Sequence, residues 1–151
     1  MHISINKGGE LWSKNYADEL PLHLAAREGQ VETISYILDN SSISVDSQTI
    51  DLWTPFHYAV NNGYLATIEF LISKGASINT VDRFGRTALH WAVRYNFKEI
   101  VEYLINANIN WEVKDKEGRT AFDIAKAAIN LDLIAIIGDH LKGKMKQKNK
   151  K

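Results

Sequence analysis

One short pattern recurs along the chain, at Leu20-Pro21-Leu22-His23, Thr54-Pro55-Phe56-His57, Thr87-Ala88-Leu89-His90 and Thr120-Ala121-Phe122-Asp123, with starts 34, 33 and 33 residues apart. A repeat of roughly 20–50 residues marks a supersecondary unit that cannot bury its apolar face alone and must stack on its neighbours. The expected molecule is therefore a linear array of about four like units, not a globule around one central core.

Each unit can be read from its residues. Proline at the first helical position forfeits no hydrogen bond, and a threonine just before it can cap the helix. Both prolines of the chain, Pro21 and Pro55, stand there, which predicts helices starting near 21, 55, 88 and 121. A small residue follows in each copy (Ala25, Ala59, Ala92, Ala125), where neighbouring helices can approach closely. Gly29, Gly63 and Asn96 then supply the left-handed conformation that ends a short helix, with Ile129 in the fourth copy. A second apolar-periodic segment comes next: Ile34 and Ile37, Ile68 and Leu71, Val101 and Leu104, Ile134 and Ile137. Asp82-Arg83-Phe84-Gly85 and Asp115-Lys116-Glu117-Gly118 read as tight turns. The second unit has Thr49-Ile50-Asp51-Leu52-Trp53 there, without the glycine, so a different turn shape is expected. The first has no recognisable turn upstream of Leu20.

Gly75-Ala76-Ser77-Ile78-Asn79, through Asp82 and Gly85 to Thr87-Ala88-Leu89-His90, resembles the ankyrin consensus nearly position by position. The resemblance covers roughly residues 15–141. It implies an all-α fold, an ankyrin-repeat solenoid of stacked helix-turn-helix units with β-hairpin fingers. Asp123 in the histidine slot resembles the form that closes many ankyrin arrays, so the fourth unit is expected to be a C-terminal cap and the first an N-terminal one. The expected organisation is a lead-in over 1–14, the repeat domain over 15–141 and a disordered lysine-rich tail over 142–151.

The resemblance also implies a function, because ankyrin arrays bind protein partners through their finger tips and the exposed side of their first helices. Carried onto this chain, it nominates Tyr16, Ile50, Asp51, Trp53, Arg83, Phe84, Arg86, Arg94, Tyr95, Lys116 and Arg119. Aromatics and arginines are over-represented among residues that dominate binding energy. Trp53, Phe84 and Arg86 are the leading anchors, although Trp53 and Phe84 serve equally well as packing between fingers. Glu19, Asp46 and Asp51 precede Arg83, Arg86, Arg94 and Lys116, which predicts a partner with a basic end toward the first repeat and an acidic end toward the third. Asn79 looks like the hairpin asparagine that an oxygen-dependent hydroxylase modifies in some ankyrin proteins; it is also the consensus residue that steadies the hairpin.

Catalysis finds little support. His23, His57 and His90 fall one to a unit, and packed helices stand ~8–10 Å apart, whereas ligand nitrogens must lie ~2 Å from a shared zinc. A structural role beside the helix starts is expected for them and for Asp123, with no metal and no cofactor. Trp91 shares its slot with Leu24, Tyr58 and Ile124 and is expected to pack in the core. Gly138-Asp139-His140-Leu141-Lys142-Gly143-Lys144-Met145 matches a phosphate-binding loop except at its last position, where Met145 has no hydroxyl for magnesium. The segment also follows a helix and not a strand, so the end of a helix is the better reading and no enzyme is expected.

Composition bounds the rest. The chain has 151 residues and no cysteine, which removes disulfides and thiolate metal sites. No apolar run approaches the ~18 residues of a membrane span, and Met1–Ser13 lacks the basic start and apolar stretch of a secretory signal. A cytoplasmic monomer, with the nucleus as the other address, is expected. The net charge of zero conceals six lysines at 142, 144, 146, 148, 150 and 151, without which the body carries 12 basic against 18 acidic side chains. Such a tail offers an alternative function, weak attachment to nucleic acid, an acidic protein or an anionic membrane, though simple solubilisation suffices to explain it.

Overall fold

The structure is a computed structural model that describes residues 14–148, with side chains described through Gly143. Most of the expected 1–14 lead-in and the last three residues of the tail therefore lie outside the described residues. The helices form four antiparallel pairs: α1 (Pro21–Arg27) with α2 (Val31–Asn40), α3 (Pro55–Asn61) with α4 (Leu65–Ser73), α5 (Ala88–Arg94) with α6 (Lys98–Asn106), and α7 (Ala121–Ala127) with α8 (Leu131–Lys148). Each first helix packs on the first helix of the next pair. The second helices α2 and α4 touch far less than α1 and α3 do, so the stack curves with the first helices on its inner side.

Local chemistry explains why each first helix is so short. Thr54, Thr87 and Thr120 cap α3, α5 and α7 by accepting the backbone N–H three residues on. The residue at that third position returns the bond: Nδ1 of His57 and of His90 accepts the N–H of Thr54 and of Thr87, each at 3.1 Å, and Asp123 Oδ2 accepts that of Thr120 at 3.0 Å. Leu20 has no side-chain oxygen to offer, yet His23 Nδ1 still accepts its N–H at 2.9 Å. At the far ends, Gly29, Gly63, Asn96 and Ile129 all take positive φ, at 70°, 76°, 60° and 53°. The core is a row of buried side chains repeated from pair to pair, including Leu22, Phe56 and Leu89 from first helices and Ile37, Leu71, Leu104 and Ile137 from second helices.

The fingers are minimal hairpins, each closed by two backbone bonds, and all four are alike: Asp18, Leu52, Gly85 and Gly118 donate their N–H to the carbonyls of Asn15, Thr49, Asp82 and Asp115 at 2.9–3.0 Å. Asn15, Thr49, Asp82 and Asp115 donate their N–H to the carbonyls of Glu19, Trp53, Arg86 and Arg119, at 3.0, 2.9, 3.0 and 2.8 Å. Each of those four residues also turns a side-chain oxygen inward to accept two backbone N–H groups of its own turn. Two expectations are corrected here. The second finger keeps the common shape despite its missing glycine, because Leu52 adopts the required φ of 63°. The first unit has the same turn, built on Asn15 with Asp18 at φ 59°. Neighbouring fingers are tied by one backbone bond each, from the N–H of Ile50, Arg83 and Lys116 to the carbonyls of Ala17, Asp51 and Phe84.

A third correction concerns the C-terminus. Where a disordered tail from 142 was expected, α8 continues to Lys148. Propagating an existing helix fixes one residue per hydrogen bond gained, and Lys, Met and Gln are good helix formers. The phosphate-loop-like stretch lies wholly within this helix.

Candidate protein-binding face

The fingers and the inner sides of the first helices present one surface, and the tips are its most exposed part. Tyr16 is fully exposed, Ile50 is 63% exposed and Phe84 is 49% exposed. Single apolar side chains on a surface are ordinary; three at successive tips of one array form a row. Asp51 and Arg83, also at the tips, pair at 2.9 Å.

Behind the tips the rings join. Trp53 is half-buried, edge-on to Tyr58 at 5.1 Å and to Trp91 at 5.4 Å, and 5.9 Å from His57. Trp91 stacks on Tyr95 at 5.9 Å, and Tyr95 lies 5.8 Å from Phe97. The guanidiniums of Arg86 and Arg94 lie 5.1 and 5.9 Å from the Trp91 ring, close enough for cation–π attraction, and Arg86 is also 5.3 Å from Phe84. Trp91 was expected in the core. It is indeed 92% buried, but as the hub of the exposed site: four of the nominated residues contact its ring, and its indole N–H donates to Asp82 at 2.8 Å. Its position in the slot of Tyr58 was the signal that could have found it.

The charges are largely neutralised from within. Arg86 lies 3.8 Å from Asp115 and 3.7 Å from Glu117, and Arg119 lies 3.3 and 3.0 Å from the same pair. The carboxylates of the first two fingers, expected to face a basic end of the partner, all have partners within the chain. Glu19 accepts from the Tyr58 hydroxyl at 2.6 Å and from the Asn15 amide, and faces Arg27. Partial burial alone would raise its pKa, but these partners hold it below the usual carboxylate range. Asp46 accepts from the backbone and hydroxyl of Ser77, and Asp51 is taken by Arg83. In contrast, Arg94 and Lys116 are exposed and have no ion-pair partner among the described residues.

The histidines are spent on architecture. His23 Nε2 lies 2.7 Å from the Ser47 carbonyl and His90 Nε2 lies 2.9 Å from that of Arg119. With Nδ1 accepting a backbone N–H, Nε2 must carry the proton and donate, so each ring stitches its helix start to the next repeat. His57 is bound at Nδ1 alike, but its buried Nε2 meets no acceptor in hydrogen-bond geometry, the carbonyls of Arg86 and Thr80 coming only near enough to act weakly. Burial pushes the pKa of all three down, that of His57 to about 4. Asn79 Oδ1 accepts the Asn110 N–H at 2.7 Å, tying the third hairpin to the fourth.

The profile of ankyrin repeats (three copies) matches residues 3–82 and again 67–147. This chain belongs to the ankyrin-repeat family. Ankyrin repeats are in general protein–protein interaction modules and typically non-catalytic. Among its relatives, alpha-latrotoxin-Lh1a of Latrodectus hasselti is 39% identical over 75 residues, half of this chain and 5% of that protein. The transient receptor potential cation channel subfamily A member 1 homolog of Caenorhabditis elegans is 39% identical over 88 residues, 57% of this chain and 7% of the channel protein. Ankyrin repeat protein OPG189 of Variola virus is 33% identical over 87 residues, 56% of this chain and 15% of the viral protein. The chain thus aligns with only a small part of each of these much longer proteins. Among its described residues, no helix is long and apolar enough to cross a membrane.

Proposed function

We propose that this ankyrin array is a non-enzymatic adaptor or inhibitor that tethers or occludes a protein partner through its finger tips and first-helix face. The observation that carries the reading is the row of exposed Tyr16, Ile50 and Phe84 set in front of the joined rings of Trp53, Trp91 and Tyr95. Fingers closed by the same bonds and pinned to one another lose little conformational freedom on binding, so more of the burial energy of the anchors is left as affinity.

Variants must be chosen with the packing in view. Trp53 and Arg86 hold neighbouring repeats together, so truncating them would confound binding with folding. Ile50 and Phe84 project outward. Affinity capture from an extract of the source cells, with wild type beside an Ile50→Ala, Phe84→Ala double variant and helicity checked by circular dichroism, is expected to retain a protein that the folded variant loses. Equal recovery by both would refute the tip-and-helix face as the binding surface.

A further inference from the structure

The turn that ends α7 is strained at a side chain that is largely exposed. Its left-handed position is held by glycine in the first two repeats and by asparagine in the third, the residue types that tolerate it. The fourth repeat puts a β-branched residue there, Ile129 at φ 53°, and its side chain is 76% exposed. Strain of this kind clusters at sites where a side chain has a use. The corresponding turns also show what the slot ordinarily faces: a Cβ on Gly29 would stand 3.0 Å from the Tyr64 ring, and one on Gly63 would stand 3.3 Å from Phe97. In those turns a ring of the following repeat lies over the bare backbone. At Ile129 the relation is reversed, and the chain offers an apolar side chain outward.

The surroundings extend the patch. Ala127 and Ala128 are exposed and occupy the positions that Arg94 and Tyr95 hold one repeat earlier, and Leu131 is 72% exposed. The turns after α5 and α7 are pinned side by side by the bond from the Asn130 amide to Asn96 Oδ1 at 2.9 Å. Tyr95, 44% exposed, thus forms a wall beside a floor of small apolar side chains, with the unpaired Arg94 at its edge. Every exposed carboxylate of the neighbouring fingers and α7 (Asp51, Glu117, Asp123) is already paired, to Arg83, to Arg86 and Arg119, and to Lys126. On the patch itself Arg94 is exposed and has no ion-pair partner among the described residues, while Lys98 and Asp132 beside it pair with each other.

We infer that Arg94, Tyr95, Ala127, Ala128, Ile129 and Leu131 form a docking patch for an acidic segment of the partner protein, one that lays an aliphatic or aromatic side chain on the alanine floor and sets a carboxylate against Arg94. The inference rests on the proposed protein-binding function and deepens it by stating the partner's chemistry. Charge complementarity at Arg94 selects the occupant: a basic segment would meet its guanidinium unscreened, and a wholly apolar one would bury it without a counter-ion.

The test is selection of a displayed library of random twelve-residue peptides on the full chain, followed by measured affinities of the recovered peptides for wild type, Arg94→Glu, Ile129→Gly and the Ile50→Ala, Phe84→Ala variant. The expected peptides pair Asp or Glu with an aromatic or aliphatic residue and lose about tenfold or more in affinity for both Arg94→Glu and Ile129→Gly. Ile129→Gly is expected to unfold at the same temperature as wild type or higher, a combination of intact fold and lost binding that a structural role for Ile129 would not give. Peptides without acidic bias that bind both variants as wild type would overturn the inference, and if they fail on the Ile50→Ala, Phe84→Ala variant the broader reading would stand without it. Peptides indifferent to all the substitutions, or no enrichment at all, would sink both. Tighter binding of an oligodeoxythymidylate through Arg94, or self-association abolished by Ile129→Gly, would also overturn it by placing nucleic acid or a second copy on the patch.

Discussion

Leu52 shows how much a single position can conceal. Its φ of 63° is the conformation that Gly85 and Gly118 adopt in their fingers at 72° and 77°. A side chain there costs about 1–2 kcal/mol, while the glycine alternative gives back roughly 0.4–1 kcal/mol through a floppier unfolded chain. Leu52→Gly is therefore expected to raise stability by about 1 kcal/mol or slightly less, read as a shifted midpoint with unchanged slope in urea denaturation. A loss of stability would mean that the 42%-exposed side chain contributes packing worth more than the strain. The same position marks the limit of the sequence reading. Gly85 announces a turn because only glycine is indifferent to the sign of φ, whereas Leu52 and Asp18 announce nothing. What identifies their turns is the inward oxygen four residues before the finger closes, from Asn15, Thr49, Asp82 or Asp115, and three residue types in one role do not read as a motif until the register is known.

At the scale of the element, the short first helices depend on histidines that cannot be protonated cheaply. A proton on Nδ1 of His57 would point at the Thr54 N–H it now accepts, in a site with no exposure to water. The folded pKa of about 4 lies below the ordinary 6.5, so between those values the unfolded chain binds more protons than the folded one. Stability therefore rises with pH across that window and is lost as pH falls through it. His57 alone is expected to remove on the order of 3 kcal/mol between pH 7 and pH 4, with His23 and His90 adding in the same direction. Urea titrations at a series of pH values check the size, and imidazole proton shifts in NMR check the assignment. Equal stability at pH 7 and pH 5 would contradict the buried neutral tautomer. This element was readable in advance because spacing and chemistry coincide: threonine, then histidine or aspartate three residues on, at the start of a helix. The length of α8 was not, because alternating lysine, glycine and polar residues suit a solvated tail and the exposed end of a helix equally well.

For the molecule as a whole, the 33-residue period is legible because stacking imposes the same burial on every copy, and the binding face is only partly legible because the positions that face outward are free of that constraint. Trp91 belongs to both sets, buried enough to look like core and yet holding the rings and arginines of the face. The stacking itself makes a prediction that separates an array from a globule. Leu104 is fully buried in α6, which packs on α5 of its own repeat and on α8 of the next, and its truncation to alanine is expected to cost ~2–5 kcal/mol. In a globule that cost would appear uniformly. In an array stability passes only between neighbours, so amide hydrogen exchange in Leu104→Ala should quicken most in α5 to α8 and least in α1 and α2, with α3 and α4 between. If α1 and α2 quickened as much as α7 and α8, the four repeats would be acting as one cooperative body, and the finger bonds and histidine stitches between them would be carrying more of the coupling than nearest-neighbour helix packing does.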